Sequence, residues 1–103
     1  MAVGLFVVRA TITKAKEAAF NTWYDTEHVP QVLRYDGALT AKRYKKIMGD
    51  DKYEYMAVYE FASEAVFQKF LKSEALTDLR REYDKHFGEV SERVAQGWVQ
   101  VFP

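Results

Sequence analysis

The segment WYDTEHVPQVL, residues 23–33, carries an imidazole among aromatic and acidic side chains. Its His28 follows Tyr24 by four residues, so the two side chains share one face of a helix. A helix C-terminus raises the pKa of an imidazole and burial among aromatic rings lowers it, so His28 could be poised near neutrality as a general acid or base. The alternative is that His28 only ends a helix and bonds a nearby carbonyl or carboxylate.

The rest of the chain offers few other reactive groups. His86, beside Tyr83 and Phe87, is a second candidate for acid–base chemistry, although packing at the edge of an apolar helix face explains it as well. There is no cysteine, and two widely separated histidines make no metal-binding pattern. Ser63 and Ser73 are interpreted as helix caps and not as nucleophiles. No metal and no cofactor are therefore expected.

Length and charge restrict the classes of protein that fit. The 103 residues make one domain, residues 1–103, because a second core would not fit. Fifteen basic and fifteen acidic residues give no net charge, which argues against nucleic acid as a partner. The apolar start is too short to span a bilayer and lacks the features of a signal peptide. A cytoplasmic protein without a membrane or nucleic-acid partner is expected.

The predicted elements follow the order β-α-β-β-α-β, which is the ferredoxin-like arrangement of an α+β protein with an antiparallel four-stranded sheet. The predicted strands cover residues 3–12, 38–47, 53–62 and 98–102. Helix formers follow Thr13, and that helix is expected to end or kink near His28 because Pro30 removes a backbone donor. Ser73 begins the last helix, which Gly97 is expected to end.

Both faces of the predicted sheet are apolar. The first strand places Val3, Leu5 and Val7 on one face and Phe6, Val8 and Ala10 on the other. A sheet covered by helices on one side should turn polar on the other, and a large apolar patch usually marks an interface. A homodimer through sheet-to-sheet packing is therefore predicted; the alternative is a central strand with a small apolar surface. The basic residues Lys42, Arg43, Lys45 and Lys46 are interpreted as protection of an edge strand, and the alternative is an anion-binding patch.

With these elements the chain resembles the dimeric α/β barrel superfamily. The segment at 23–33, followed by Gly37 and the strand TAKRY (40–44), resembles its EthD-like group. The resemblance implies two ferredoxin-like subunits whose sheets form a shared barrel, with a cavity between sheet and helices in each subunit. It also implies that a first-helix histidine and a second-strand aromatic line the cavity, which points to His28 and Tyr44 as catalytic and substrate-binding residues. Tyr24 and Tyr59 complete the predicted substrate site.

Members of that superfamily include cofactor-free monooxygenases, polyketide cyclases, muconolactone-type isomerases and haem-degrading enzymes. The leading hypothesis is a small cofactor-independent enzyme acting on an aromatic, polyketide or lactone-like compound. His28 would move a proton next to a carbonyl and Tyr44 would orient the oxygen, a step that cyclases, isomerases, dehydratases and decarboxylases share. The alternatives are a non-catalytic dimer that binds a small hydrophobic ligand or supports a partner enzyme, and a cofactor-free monooxygenase.

Overall fold

The fold is a four-stranded antiparallel sheet with helices packed on one face. It is seen in a computed structural model that describes residues 2–103. The strands are β1 (Gly4–Ala10), β2 (Ala38–Lys45), β3 (Tyr55–Phe61) and β4 (Arg93–Val99). Their order across the sheet is β2-β3-β1-β4. This topology confirms the predicted ferredoxin-like arrangement.

The helical segments lie between β1 and β2 and between β3 and β4. The first is a 3-10 turn (Lys14–Lys16), α1 (Glu17–Trp23), a π turn (Tyr24–His28) and α2 (Val29–Leu33); the second is α3 (Glu64–Leu71) and α4 (Glu74–Phe87). The hydroxyls of Ser63 and Ser73 accept the first-turn N–H groups of α3 and α4, each at 3.2 Å, which confirms both caps. Within residues 2–103, no helix is long and apolar enough to cross a membrane.

An aromatic core fills the space between the helices and the inner face of the sheet. Its most enclosed side chains are Tyr59, Phe20, Phe61 and Phe70. The rings meet edge to face or tilted, as between Phe20 and Phe87 at 5.2 Å, the geometry that aromatic quadrupoles favour. Burying each such ring stabilises the fold by about 1.5–3 kcal/mol. The core therefore lies wholly on one side of the sheet.

The outer face of the sheet carries no helix and is apolar at its centre. Its apolar side chains include Leu5, Val7, Met56, Val58 and Trp98. Trp98 is 55% exposed, although a side chain of this size usually packs against protein. The apolar outer face expected from the sequence is present, and its burial in a homodimer stays a prediction.

The last helix is shorter than predicted, because α4 ends at Phe87 and β4 begins at Arg93. Gly97 does not end a helix but pairs with Phe6 inside the sheet. A Cβ at Gly97 would lie 2.7 Å from Cε2 of Phe67, so the glycine leaves room for that ring. A glycine that permits close packing had been interpreted as a helix end.

The first helix was predicted to end or kink near His28, and it changes there to a π turn that is followed by the short α2. The N–H of Val29 donates to the carbonyl of Tyr24, five residues back, so the backbone continues through a π turn into α2. Pro30 follows at once, within the first turn of α2. In a regular α-helix its ring would clash with the carbonyl of Thr26. A wider turn at this point lets the helix continue past the proline.

Candidate functional site

A pocket lies between the inner face of the sheet, the π turn and α4. Its walls are Phe6, Val8, Tyr24, His28, Val32, Tyr59, Phe70, Leu76, Leu79, Arg80, Tyr83, Arg93 and Ala95. Its cavity volume is about 40 Å³, and the open space at the mouth raises the total to about 430 Å³. The mouth is at Arg80 and Ala95, which are exposed, and the closed end is at Tyr59 and Phe70.

The π turn is what brings His28 to the pocket. Phe20, Tyr24, His28 and Val32 recur at strict four-residue steps, and all four are buried. In a regular α-helix each step advances the side chain by about 40°, so the set would rotate by about 120° from first to last. A π turn holds one extra residue and takes back about 100° of that rotation. The strict four-residue period is the sequence signal of this turn.

His28 sits in an almost wholly aromatic environment. Its ring stacks on Trp23 with centroids 4.6 Å apart and planes at 21°, and meets Tyr24 edge to face at 5.0 Å. Burial, and after it the nearby charges of Arg93 and Arg43, lower the pKa of His28 to about 4. The imidazole is therefore neutral at pH 7. Its Nδ1 is buried and has no hydrogen-bond partner among residues 2–103.

Tyr59 brings a second polar atom to the same pocket. Its side chain is 1% exposed, and within residues 2–103 nothing hydrogen-bonds its hydroxyl. Burial raises the pKa of Tyr59 and also that of Tyr24, the other tyrosine predicted for the site, so both phenols stay protonated at pH 7. A buried polar atom without a partner costs about 1–3 kcal/mol. Two such atoms in one apolar pocket make it the candidate site of this fold.

Tyr44, expected beside His28, lies on the outer face of the sheet and is 47% exposed. The pairing of β2 with β3 is irregular between Ala38 and Thr40. One extra residue in a strand moves every later side chain to the opposite face. Tyr44 therefore pairs with Met56 on the outer face, and the expectation that it lines this pocket is wrong. The sequence gives no sign of the irregularity.

Arg43, and not its neighbour Tyr44, lies on the inner face of the sheet. Its guanidinium donates to Asp25 Oδ1 at 2.9 Å and to Asn21 Oδ1 at 2.8 Å. The same group lies 4.5 Å from the ring centre of Tyr24. With 15% of its side chain exposed, Arg43 is an internal structural cation and not the edge-strand protection that its basic neighbours suggested.

A second inward arginine, Arg93, lines the pocket from β4. Its guanidinium lies 4.0 Å from the ring centre of Tyr83, and Nη1 donates to Asp84 Oδ1 at 2.8 Å. The hydroxyl of Tyr83 is 2.6 Å from Ser91 Oγ, which itself donates to the carbonyl of Thr11 at 2.6 Å. Arg93 could not be assigned to the site from the sequence, because position 93 was predicted to lie in the last helix and not in a strand.

His86 lies outside this pocket. Its Nε2 is 3.4 Å from Glu82 Oε2, and 42% of its side chain is exposed. Its ring centroid is 5.6 Å from that of Trp23, so it packs at the edge of the aromatic cluster, as the packing interpretation expects. Among residues 2–103, no three His, Asp or Glu side chains are grouped so that they could hold a metal ion.

Comparison with known families places the chain. The model of the DUF4286 family, a domain of unknown function, matches residues 3–96. This protein belongs to the DUF4286 family. No curated protein matches it in sequence.

Solved structures share the fold of this DUF4286 domain. A DABB family protein with a ferredoxin-like fold from Mesorhizobium loti is 15% identical, with 99% of this chain and 100% of that chain covered and a TM-score of 0.76. An EthD family protein from Bacillus halodurans is 17% identical over 93% and 97%, with a TM-score of 0.66. SnoaB, a cofactor-independent oxygenase from Streptomyces nogalater, is 16% identical over 100% and 97%, also at 0.66. The predicted likeness to the EthD-like group of dimeric α/β barrels is confirmed, as a likeness of fold.

Proposed function

We propose that this protein is a small cofactor-independent enzyme that moves a proton next to a carbonyl of an aromatic, polyketide or lactone-like compound. The observation that carries the proposal is the pair of buried, unpartnered polar atoms, His28 Nδ1 and the Tyr59 hydroxyl, in one apolar pocket. A neutral imidazole can accept a proton, and a protonated phenol can donate a hydrogen bond. These are the two functions that enolisation of a carbonyl compound requires.

In the proposed step, the unprotonated ring nitrogen of His28 takes a proton from the carbon beside the carbonyl. The electron pair of that C–H bond moves onto the carbonyl oxygen, which becomes an enolate, and the Tyr59 hydroxyl donates a hydrogen bond to it. Tyr59 thus has the role that Tyr44 had been expected to fill. Tyr24, edge to face with His28, holds the imidazole and forms part of the wall. Return of the proton at another position of a conjugated enolate completes an isomerisation. In a cyclisation the enolate carbon instead attacks a second carbonyl carbon of the same compound, and the imidazolium gives its proton to the alkoxide that this forms.

The positive field around the pocket favours this step, although it also makes His28 a weak base. Arg93 and Arg43 oppose protonation of the imidazole, after the larger effect of burial. The same two charges stabilise negative charge on an enolate oxygen. That charge develops in the transition state of proton abstraction from carbon, so its stabilisation lowers the barrier. As the enolate forms, its charge also favours the imidazolium beside it. Base and developing anion therefore stabilise each other.

Deuterium exchange tests the proposal without knowledge of the full reaction. Small keto, lactone and phenolic ketone compounds are incubated with the protein in D₂O, and loss of the proton signal next to the carbonyl is followed by NMR. We expect exchange with the native protein, loss of about 100-fold or more in His28→Gln and a smaller loss in Tyr59→Phe. His86→Gln is the matched control, because that histidine lies outside the pocket. Exchange that survives in His28→Gln would remove His28 from the chemistry.

A ligand-binding or accessory protein is the second candidate, and one observation favours it. No acidic side chain within residues 2–103 hydrogen-bonds the His28 ring to orient it, as a partner usually does in acid–base sites. Saturable binding that shifts the His28 NMR signal without any exchange would support this role. The third candidate is a cofactor-free oxygenase, the activity named for SnoaB. Oxygen uptake with an electron-rich phenol would identify it.

We also propose that two copies pack through the outer faces of their sheets. That face presents Trp98, 55% exposed, beside Val7 and Val58. Sedimentation at micromolar concentration should give a dimer for the native chain and a monomer for Trp98→Asp. Because Trp98 is already half-exposed, its replacement leaves the core intact. Ile47→Asp is the control, since Ile47 is fully exposed in the β2–β3 loop; a native chain that sediments as a monomer would refute the dimer.

A further inference from the structure

We propose that the ligand of this pocket is an organic anion, a small carboxylate held at the mouth by Arg80 and Arg93 with an oxygen function at its inner end. The inference rests on the proposed function and names its substrate class. It starts from the charges of the pocket wall. Of its lining residues two are arginines and none is an aspartate or glutamate. A carboxylate that enters therefore meets cations on the wall, while Asp84, which is paired with Arg93, does not line the pocket.

Arg80 supplies a cation without an internal partner. It lies on α4 with an exposed side chain and makes no hydrogen bond or ion pair within residues 2–103. Its neighbour Arg81 differs, because Nη1 of that residue lies 3.1 Å from Asp78 Oδ1 and the side chain does not line the pocket. All five donors of Arg80 are therefore free for a ligand at the mouth.

Arg93 supplies a cation that is already oriented. Asp84 accepts one of its donors and the Tyr83 ring lies against its plane, so the guanidinium is fixed while other N–H groups stay unused. Fixing a guanidinium before binding reduces the entropy cost of forming a bidentate pair with a carboxylate. With 24% of its side chain exposed, Arg93 lies deeper than Arg80. The two arginines together outline an anion site from the mouth inward.

The polar groups at the inner end of the pocket are suited to a hydrogen bond with a neutral oxygen of the ligand. His28 Nδ1 and the Tyr59 hydroxyl are the polar atoms that remain unpartnered there, and most of the other lining side chains are apolar. The ligand that matches this order has a carboxylate, an apolar body and then a carbonyl or hydroxyl. 4-Hydroxybenzoate has this order of groups, and 4-hydroxybenzamide has the same shape without the charge. The pair separates the effect of charge from that of fit.

Binding of the two compounds to the full chain is measured by calorimetry at pH 7 and by the His28 C–H signals in NMR. We expect 4-hydroxybenzoate to bind about tenfold tighter than the amide, as one charge-assisted hydrogen bond gives, and to shift the His28 signals. Arg80→Gln should remove most of that preference and leave the affinity for the amide unchanged. Arg81→Gln, the matched control, should keep it. Added salt should weaken the binding of 4-hydroxybenzoate and leave that of 4-hydroxybenzamide unchanged.

Equal affinity for acid and amide, a preference that survives in Arg80→Gln, or no binding of either compound at millimolar concentration would overturn the anion proposal. The outcomes also separate it from the proton-transfer proposal. Binding of the acid that depends on Arg80, without deuterium exchange on any compound, leaves the anion site standing and removes the chemistry. Deuterium exchange that depends on His28, with no preference for acids over amides in binding, supports the proton-transfer proposal and removes the anion site.

Discussion

The unpartnered hydroxyl of Tyr59 makes an unusual prediction, because Tyr59→Phe should stabilise the protein. The phenylalanine ring keeps the packing of the tyrosine ring, whose centroid is 6.1 Å from that of Phe6. The hydroxyl itself is buried without a partner within residues 2–103, so removing it recovers part of a desolvation cost of about 1–3 kcal/mol. We expect the free energy of unfolding to rise by about 1–2 kcal/mol and Tm by about 4–8 °C per kcal/mol.

Tyr83→Phe provides the matched control for this experiment. Tyr83 lines the same pocket and is also buried, but its hydroxyl is 2.6 Å from Ser91 Oγ. Losing that hydrogen bond should lower the free energy of unfolding by about 1 kcal/mol. The two variants remove the same atom and should differ by about 2–3 kcal/mol in urea denaturation. Equal destabilisation in both would refute the reasoning and mean that an ordered water satisfies Tyr59.

Two further predictions concern stability. Since the pKa of His28 is about 4 in the folded chain and about 6.5 when unfolded, the unfolded chain binds more protons below pH 6.5. The free energy of unfolding should therefore fall by about 2 kcal/mol from pH 7 to pH 5. The variant His28→Gln should lose most of this pH dependence, and His86→Gln should keep it. Equal pH dependence in both variants would contradict the burial of His28. Gly97→Ala should lower the free energy of unfolding by about 1–3 kcal/mol, because the new methyl meets the Phe67 ring. Phe67→Leu in the same chain should restore part of the loss. Denaturation midpoints that show simply additive effects of the two substitutions would contradict the contact.

Local patterns determined what could be predicted from the sequence. The order of the elements along the chain and both serine caps follow from hydrophobic period and capping chemistry, which act within a few residues. The roles of Tyr44 and Gly97 depend on tertiary pairing that no local pattern records. A single irregularity in β2 moved Tyr44 to the outer face, and the packing of Phe67 explains a glycine that looked like a helix end.

The site was predicted in part, for the same reason. His28, Tyr24 and Tyr59 do line one pocket, the first two because helix spacing is local. The three arginines were missed, since Arg43 and Arg80 look like solvated surface charge and Arg93 lay in a misassigned helix. The roles of Arg43 and Arg93 follow from the rings and carboxylates that they meet across the fold, and that of Arg80 from its place at the pocket mouth. Such tertiary placements have no fixed spacing in sequence.

The π turn also has an evolutionary consequence. It amounts to one residue inserted into a regular helix, and a deletion of one residue between Trp23 and His28 would restore an α-helix. The two sides of the turn would keep their present orientation, because seven residues at about 100° each return His28 to within about 20° of the Phe20 side of the helix. The wider turn that accommodates the Pro30 ring would be lost, however, so in an alignment of relatives a gap of one position here should mark chains that have also lost this proline.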